Sequence, residues 1–204
     1  MRTPRPILGS PAGLSLLEIL VVVVLLGLLA GIGVGPIREG LGRARLRSAV
    51  AELSRRMMAA RWRAVAGHAS VGLRFEPEGE GWRVVTYVDG DSDGIRSADI
   101  LAGRDRPSGS VYRPQEGRPG VYFGLPAGDP IPRVPPSRGW LNGGEDPIRF
   151  GRSDIVSFSA LGSVTPGTVY LTDRDGRLAA LVLFGATARM RIRFFHRDSG
   201  EWRP

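Results

Sequence analysis

LSLLEILVVVVLLGLLAGIGVGPI, residues Leu14 to Ile37, holds a single ionisable side chain, Glu18, among its 24 residues. At about 1.5 Å per residue, a helix of this length crosses the hydrocarbon core of a bilayer, so the run predicts a transmembrane helix over 14–37. The preceding residues, MRTPRPILGSPAG, are basic and rich in proline and glycine, which opposes extension of the helix in that direction and marks 1–13 as a leader. An ordinary secretory signal places its cleavage site after the apolar run, yet Gly31, Gly33 and Gly35 lead into Pro36 and Arg38 with no small-x-small site. The change of character lies before the run.

Past the run, Leu46, Val50, Leu53, Met57, Ala60 and Ala64 recur at steps of four and three and share one helical face. They predict an amphipathic continuation of the same helix over 38–66, kinked by Pro36. Its other faces hold eight arginines between Arg38 and Arg63 against Glu39 and Glu52. A solvated face, or contact with lipid headgroups and neighbouring subunits, accounts for them more simply than nucleic acid does.

Beyond Gly67 the period falls to two. Ser70 to Phe75, Trp82 to Val88, Asp154 to Ser159, Thr168 to Leu171, Leu178 to Phe184 and Arg189 to Phe195 are rich in β-branched and aromatic residues and bounded by turn signals. Residues 76–81 (EPEGEG) and 173–176 (DRDG) read as hairpin turns. The expected fold class is α+β: one long N-terminal helix, half transmembrane and half amphipathic, packed on an antiparallel sheet within a β-rich globular domain over 67–204. Nine prolines and nine glycines with little periodicity between Leu101 and Phe150 predict a long surface loop or insertion there rather than a separate domain.

Composition narrows the chemistry. All 28 basic residues are arginine and the formal charge is +8. The lack of lysine removes a Walker A lysine and any Schiff-base or general-base lysine. Cysteine is absent too, which removes disulfides, thiolate metal sites and a cysteine nucleophile. There is no G-x-S-x-G elbow, and His68 and His196 stand far apart without a metal-ligand pattern, so no enzymatic activity is expected.

Gly13-Leu14-Ser15-Leu16-Leu17-Glu18, followed by an unbroken apolar stretch, resembles the class III leader junction of type IV pilins and type II secretion pseudopilins. The family most often begins its mature chain with phenylalanine and threonine, where this one has leucine and serine. The resemblance implies that a prepilin peptidase cuts after Gly13 and that Leu14 is then N-methylated. It also implies that Glu18 pairs with the N-terminal amine of the adjacent subunit and sets the register of a filament. A carboxylate in an apolar segment asks for such a partner on physical grounds, although a glutamate at a helix N-terminus is also favoured by the macrodipole and reaches the interface by snorkelling. Retention of the acid is unlike the tip-initiating minor pseudopilin of the family. Residues 158–194, FSALGSVTPGTVYLTDRDGRLAALVLFGATARMRIRF, and residues 60–75, ARWRAVAGHASVGLRF, are similar to H-type minor pseudopilins and FimT-type minor pilins.

The implied protein is a pilin-like minor pseudopilin of a type II secretion system. It would sit in the inner membrane as a single-pass protein with its leader cytoplasmic and its globular domain periplasmic, and its partners would be other pseudopilins or pilins, the prepilin peptidase and the inner-membrane assembly platform. A minor pilin of a type IV pilus, serving adhesion, motility or DNA uptake, is the alternative. A membrane-tethered basic domain that binds nucleic acid or acidic lipid is a third. Charge bias opposes the periplasmic placement: Arg38, Arg43, Arg45, Arg47, Arg55 and Arg56 follow the apolar run, against Arg2 and Arg5 before it, and the positive-inside rule alone would put the domain in the cytoplasm.

Two further motifs bear on chemistry. Asp89, Asp91 and Asp93, with Gly94, reproduce the first half of a calcium loop, but Ile100 stands where the bidentate acid belongs, with Asp99 beside it. An Asx-rich turn explains the same residues, and calcium is the one cofactor in question. Arg189, Arg191 and Arg193 alternate along the last expected strand, opposite Met190, Ile192 and Phe194, and such a row suits phosphates. The resemblance to FimT-type proteins adds DNA as its ligand, whereas a sheet with one wet face explains it without one.

Overall fold

A computed structural model describes residues 13, 15–79, 81–173, 175–185 and 187–204, and only the backbone of 30–36. Leader residues 1–12, Leu14 and the Pro36 side chain lie outside the described residues. The chain divides into two compact units between Leu41 and Gly42. One helix, α1 (Leu16–Gly67), contains the boundary.

In the first unit the Ser15 carbonyl accepts the Glu18 and Ile19 amides and starts α1. Leu16, Leu17, Ile19, Leu20, Leu25, Leu26, Leu28 and Leu29 are all exposed, as are the four valines between them. Among the described residues no helix is long and apolar enough to cross a membrane; residues 14 and 30–36 of the expected span fall outside that statement.

The second unit is α+β. From Gly42 onward α1 buries Leu46, Ala49, Val50, Leu53, Met57, Ala60 and Ala64 to 2 % exposure or less, the face that the four-and-three spacing marks out. After it come β1 (Val71–Glu78), β2 (Gly81–Val88), a short helix α2 (Ser97–Leu101), and five two-residue strands. These are β3 (Arg106–Pro107), β4 (Tyr122–Phe123), β5 (Ile131–Pro132), β6 (Trp140–Leu141) and β7 (Ile148–Arg149). The chain then runs through β8 (Ile155–Phe158), β9 (Gly167–Thr172), β10 (Leu178–Phe184), β11 (Arg189–His196) and β12 (Glu201–Arg203).

The strands form two antiparallel sheets where a single one was expected. The first has the order β3-β2-β1-β8, the second β12-β11-β10-β9-β4 with β7 also paired to β9, and β5 and β6 make a separate hairpin. Both sheets contribute to one core with α1: Leu73, Phe75, Val84, Val156 and Phe158 from the first, Val169, Leu171, Ala179, Leu181 and Leu183 from the second. The EPEGEG turn joins β1 to β2 with Glu78 opposite Gly81 and Gly79 at φ +59°. The DRDG turn joins β9 to β10, where the Asp173 carboxylate accepts the amides of Asp175 and Arg177.

Residues 101–150 form an insertion that packs inward rather than a loop confined to the surface. Tyr112, Val121, Phe123, Ile148 and Phe150 enter the main core, where Phe75 meets Phe123 edge-on at 5.4 Å and stacks on Phe150 at 5.7 Å. Leu125, Ile131, Val134 and Leu141 cover the opposite face of the second sheet, over Tyr170, Leu178, Ala180 and Val182. Six consecutive β10 residues are buried, so both of its faces need a cover, and this segment supplies one. The Trp202 indole N–H ties the cover down by donating to the Pro132 carbonyl at 2.7 Å.

Candidate functional site

Three places carry candidate chemistry. Gly13 and Glu18 are both exposed and flank the start of α1. Leu14, between them, lies outside the described residues.

The acidic turn follows β2. Asp89, Asp91 and Asp93 bring one carboxylate oxygen each to within 4.8 Å of one another, the one such group among the described residues. Asp89 is buried and fully engaged: one oxygen accepts the amides of Asp91 (3.2 Å) and Ser92 (2.8 Å), and the other accepts that of Gly94 (2.9 Å). Burial works against its charge, yet the amides of Gly94, Ser92 and Asp91 prevail and hold its carboxyl below the usual carboxylate range. Loss of water and the neighbouring Asp93 raise the Asp91 carboxyl. Arginines answer the outer acids: Arg104 pairs with Asp91 at 3.2 Å and Arg96 with Asp93.

Asp99, beside the expected twelfth ligand position, is buried and turned to the Arg104 guanidinium, whose Nε donates to it at 2.8 Å. Asp105, which the motif does not reach, is 1 % exposed and accepts the amides of Gly90 and Arg96. Both acids close the 89–105 segment on itself. Its geometry is that of an Asx-rich turn braced by arginine, with every acid of the segment already partnered.

The basic row lies on β11, which is not the last strand, because β12 pairs with its end through Phe194–Arg203 and His196–Glu201. Met190, Ile192 and Phe194 pack on the main core, as the alternation requires. Arg189 and Arg191 are exposed and Arg193 is half-buried on the opposite face, which Phe195 shares. The Arg191 guanidinium lies over the Phe184 ring at 5.3 Å, and Phe195 meets Trp202 at 5.4 Å. The result is a row of cations interleaved with aromatic surface. His68 and His196 are both exposed.

No protein-family model, curated protein or solved structure matches the chain.

Proposed function

We propose that the chain is a minor pseudopilin of a type II secretion system, cut after Gly13, N-methylated on Leu14, and assembled through Glu18 into a periplasmic pseudopilus. In this reading the apolar stretch 14–37 anchors it in the inner membrane and the β-rich domain lies in the periplasm. The observation that carries the reading is the division of labour along α1. Its first turns expose an unbroken apolar surface containing one acid, while its continuation buries seven side chains in a β-domain. So much leucine and valine on a surface asks for an apolar surrounding, lipid or neighbouring helices, and the acid within it asks for a cation. An amine released next to it by processing would meet that need at the i to i+4 spacing.

The test is N-terminal mass spectrometry of the membrane-extracted chain from cells with an active leader peptidase. A methylated Leu14 is expected, and a chain that still begins at Met1 overturns the proposal. Glu18→Gln should leave processing intact and abolish cross-linking to neighbouring subunits.

A type IV minor pilin is the second reading, supported by the exposed Arg189 and Arg191 beside aromatic surface. Duplex DNA affinity with a steep salt slope, lost in the triple Arg→Gln variant at 189, 191 and 193, would favour it. Neighbouring genes for a secretion ATPase and secretin, against pilus retraction or competence genes, separate the two systems. A reporter fused after Pro204 that reads cytoplasmic would leave the tethered basic domain instead.

A further inference from the structure

We propose that the open edge of β11, from Arg189 to Arg193, is a docking site for an extended peptide whose residues alternate between acidic and apolar. The ladder register shows which backbone groups lie there. Asp173 donates its amide to the Arg177 carbonyl at 3.2 Å, and Tyr170 turns both its backbone groups away from β10, its N–H donating to Pro147 at 3.0 Å and its carbonyl accepting the Gly124 amide at 3.2 Å. Residues along an antiparallel strand face one neighbour and the other in turn, so Ala179, Leu181 and Leu183 of β10 face β9, and Ala180, Val182 and Phe184 face β11. Their partners Arg193, Arg191 and Arg189 therefore direct N–H and C=O at β10, while Met190, Ile192 and Phe194 direct theirs to the other side. There Phe194 meets Arg203 of β12. Met190 and Ile192 meet no strand among the described residues.

The other long strands are closed. β1, β2, β9 and β10 have a neighbour on each side. β8 is covered by Val164, through its bridge to Phe158, and by the Thr165 amide, which donates to the Ser157 carbonyl at 3.0 Å. β11 thus presents two backbone donors and two acceptors at strand spacing, on residues that are themselves half-buried. An added strand answers both kinds of group, whereas a phosphate offers acceptors alone and leaves the two carbonyls unmatched.

Charge selects the occupant. In an antiparallel addition, residues opposite Met190 and Ile192 form the hydrogen-bonded pairs, and those opposite Arg189, Arg191 and Arg193 form the closer, non-bonded pairs. Side chains at the second set of positions lie on the arginine face, where carboxylates fit; those at the first lie beside Met190 and Ile192, which pack on the main core, and apolar groups fit there. A second copy of the same edge, paired in this way, sets arginine against arginine and is disfavoured. The inference rests on the β-domain alone, not on leader processing, membrane anchoring or filament assembly.

The experiment is amide-resolved hydrogen exchange of the full chain in detergent micelles, with the peptide Glu-Val-Glu-Val-Glu-Val-Glu as probe. With the peptide at about ten times its dissociation constant, the Met190 and Ile192 amides should exchange roughly tenfold more slowly. Arg189→Gln, Arg191→Gln and Arg193→Gln together should weaken the peptide about tenfold, the worth of three exposed ion pairs. The same peptide N-methylated on its valines keeps every charge but loses the donors aimed at the Met190 and Ile192 carbonyls, and it should give no protection. Equal protection by the methylated peptide overturns the proposal, because charge alone would then account for binding. Unchanged exchange at the highest soluble peptide concentration overturns it too, as does equal affinity for the triple variant. Protection of the two amides by duplex DNA, with none from the peptide, assigns the row to nucleic acid and also overturns it.

Discussion

Tyr112→Phe removes one hydroxyl and leaves the ring. That hydroxyl, on a residue 4 % exposed, donates to the Ala49 carbonyl of α1 at 2.9 Å, while the Tyr112 backbone exchanges two hydrogen bonds with Val84 of β2. It is thus a rivet between the helix and the first sheet. The ring keeps its edge contact with Phe123 and its place under Arg56. Loss of a single buried hydrogen bond predicts a cost of about 1 kcal/mol at neutral pH, a fall of roughly 2–4 °C in midpoint for a domain of this size.

Alkaline pH inverts the comparison. Burial pushes the Tyr112 phenol up to about 12 from an ordinary value of 10.0. A raised folded value means stability fully present below the unfolded value and lost as pH climbs through the folded one, so wild type should lose about 1.4 kcal/mol by about pH 11 and up to about 2.7 kcal/mol beyond about pH 12 from this group. The phenylalanine variant has nothing there to ionise. Its deficit should close near about pH 11 and then change sign. Tyr87 and Tyr170 are raised as well, but they are common to both proteins and cancel in the difference. The assay is guanidinium unfolding of the detergent-solubilised full chain, followed by tryptophan fluorescence across the alkaline range. A gap that stays constant with pH would refute the assignment of the buried phenol.

A Cβ at Gly167 would stand 2.3 Å from both the Arg149 carbonyl oxygen and the Phe150 ring; Gly167→Ala should therefore lower the unfolding free energy by about 1–3 kcal/mol as β7 is forced off β9, and an unchanged denaturation midpoint would contradict that packing. Asp89→Asn should cost about 1–2 kcal/mol at neutral pH, because a carboxylate serving three amides is replaced by a group with one acceptor oxygen. Since the Asp89 carboxyl is depressed, its contribution is present above the ordinary 3.8 and lost as pH falls below it, so the gap between the two proteins should narrow in acid when midpoints are compared. Calcium should leave the wild-type midpoint unmoved, because Arg96 and Arg104 already balance the outer acids; a rise with calcium would reassign the turn to the ion.

How much of this was legible in sequence depended on periodicity. The buried face of α1 follows from the spacing of Leu46, Val50, Leu53, Met57, Ala60 and Ala64, because one stripe meets one core. The long strands announced themselves through β-branched runs, and the two turns through Glu-Gly and Asp-Gly pairs. The cover over the second sheet did not, because Leu125, Ile131, Val134 and Leu141 sit singly among prolines and glycines and pack by shape rather than by repeat. A hint lay elsewhere: LAALVLF in β10 has no polar position, as expected of a strand covered on both faces. At the acidic turn the motif named Asp89, Asp91 and Asp93 but was blind to Asp105 and to the two arginines that decide its character.

Within the β-domain, the part of α1 from Gly42 onward is packed against both sheets. A force applied along its axis reaches both sheets as shear, and Leu46, Ala49, Val50, Leu53, Met57, Ala60 and Ala64 must slip together for it to slide free. Such a joint resists a lengthwise tug far better than one that peels a contact at a time, so a pull on this helical segment loads the whole domain at once.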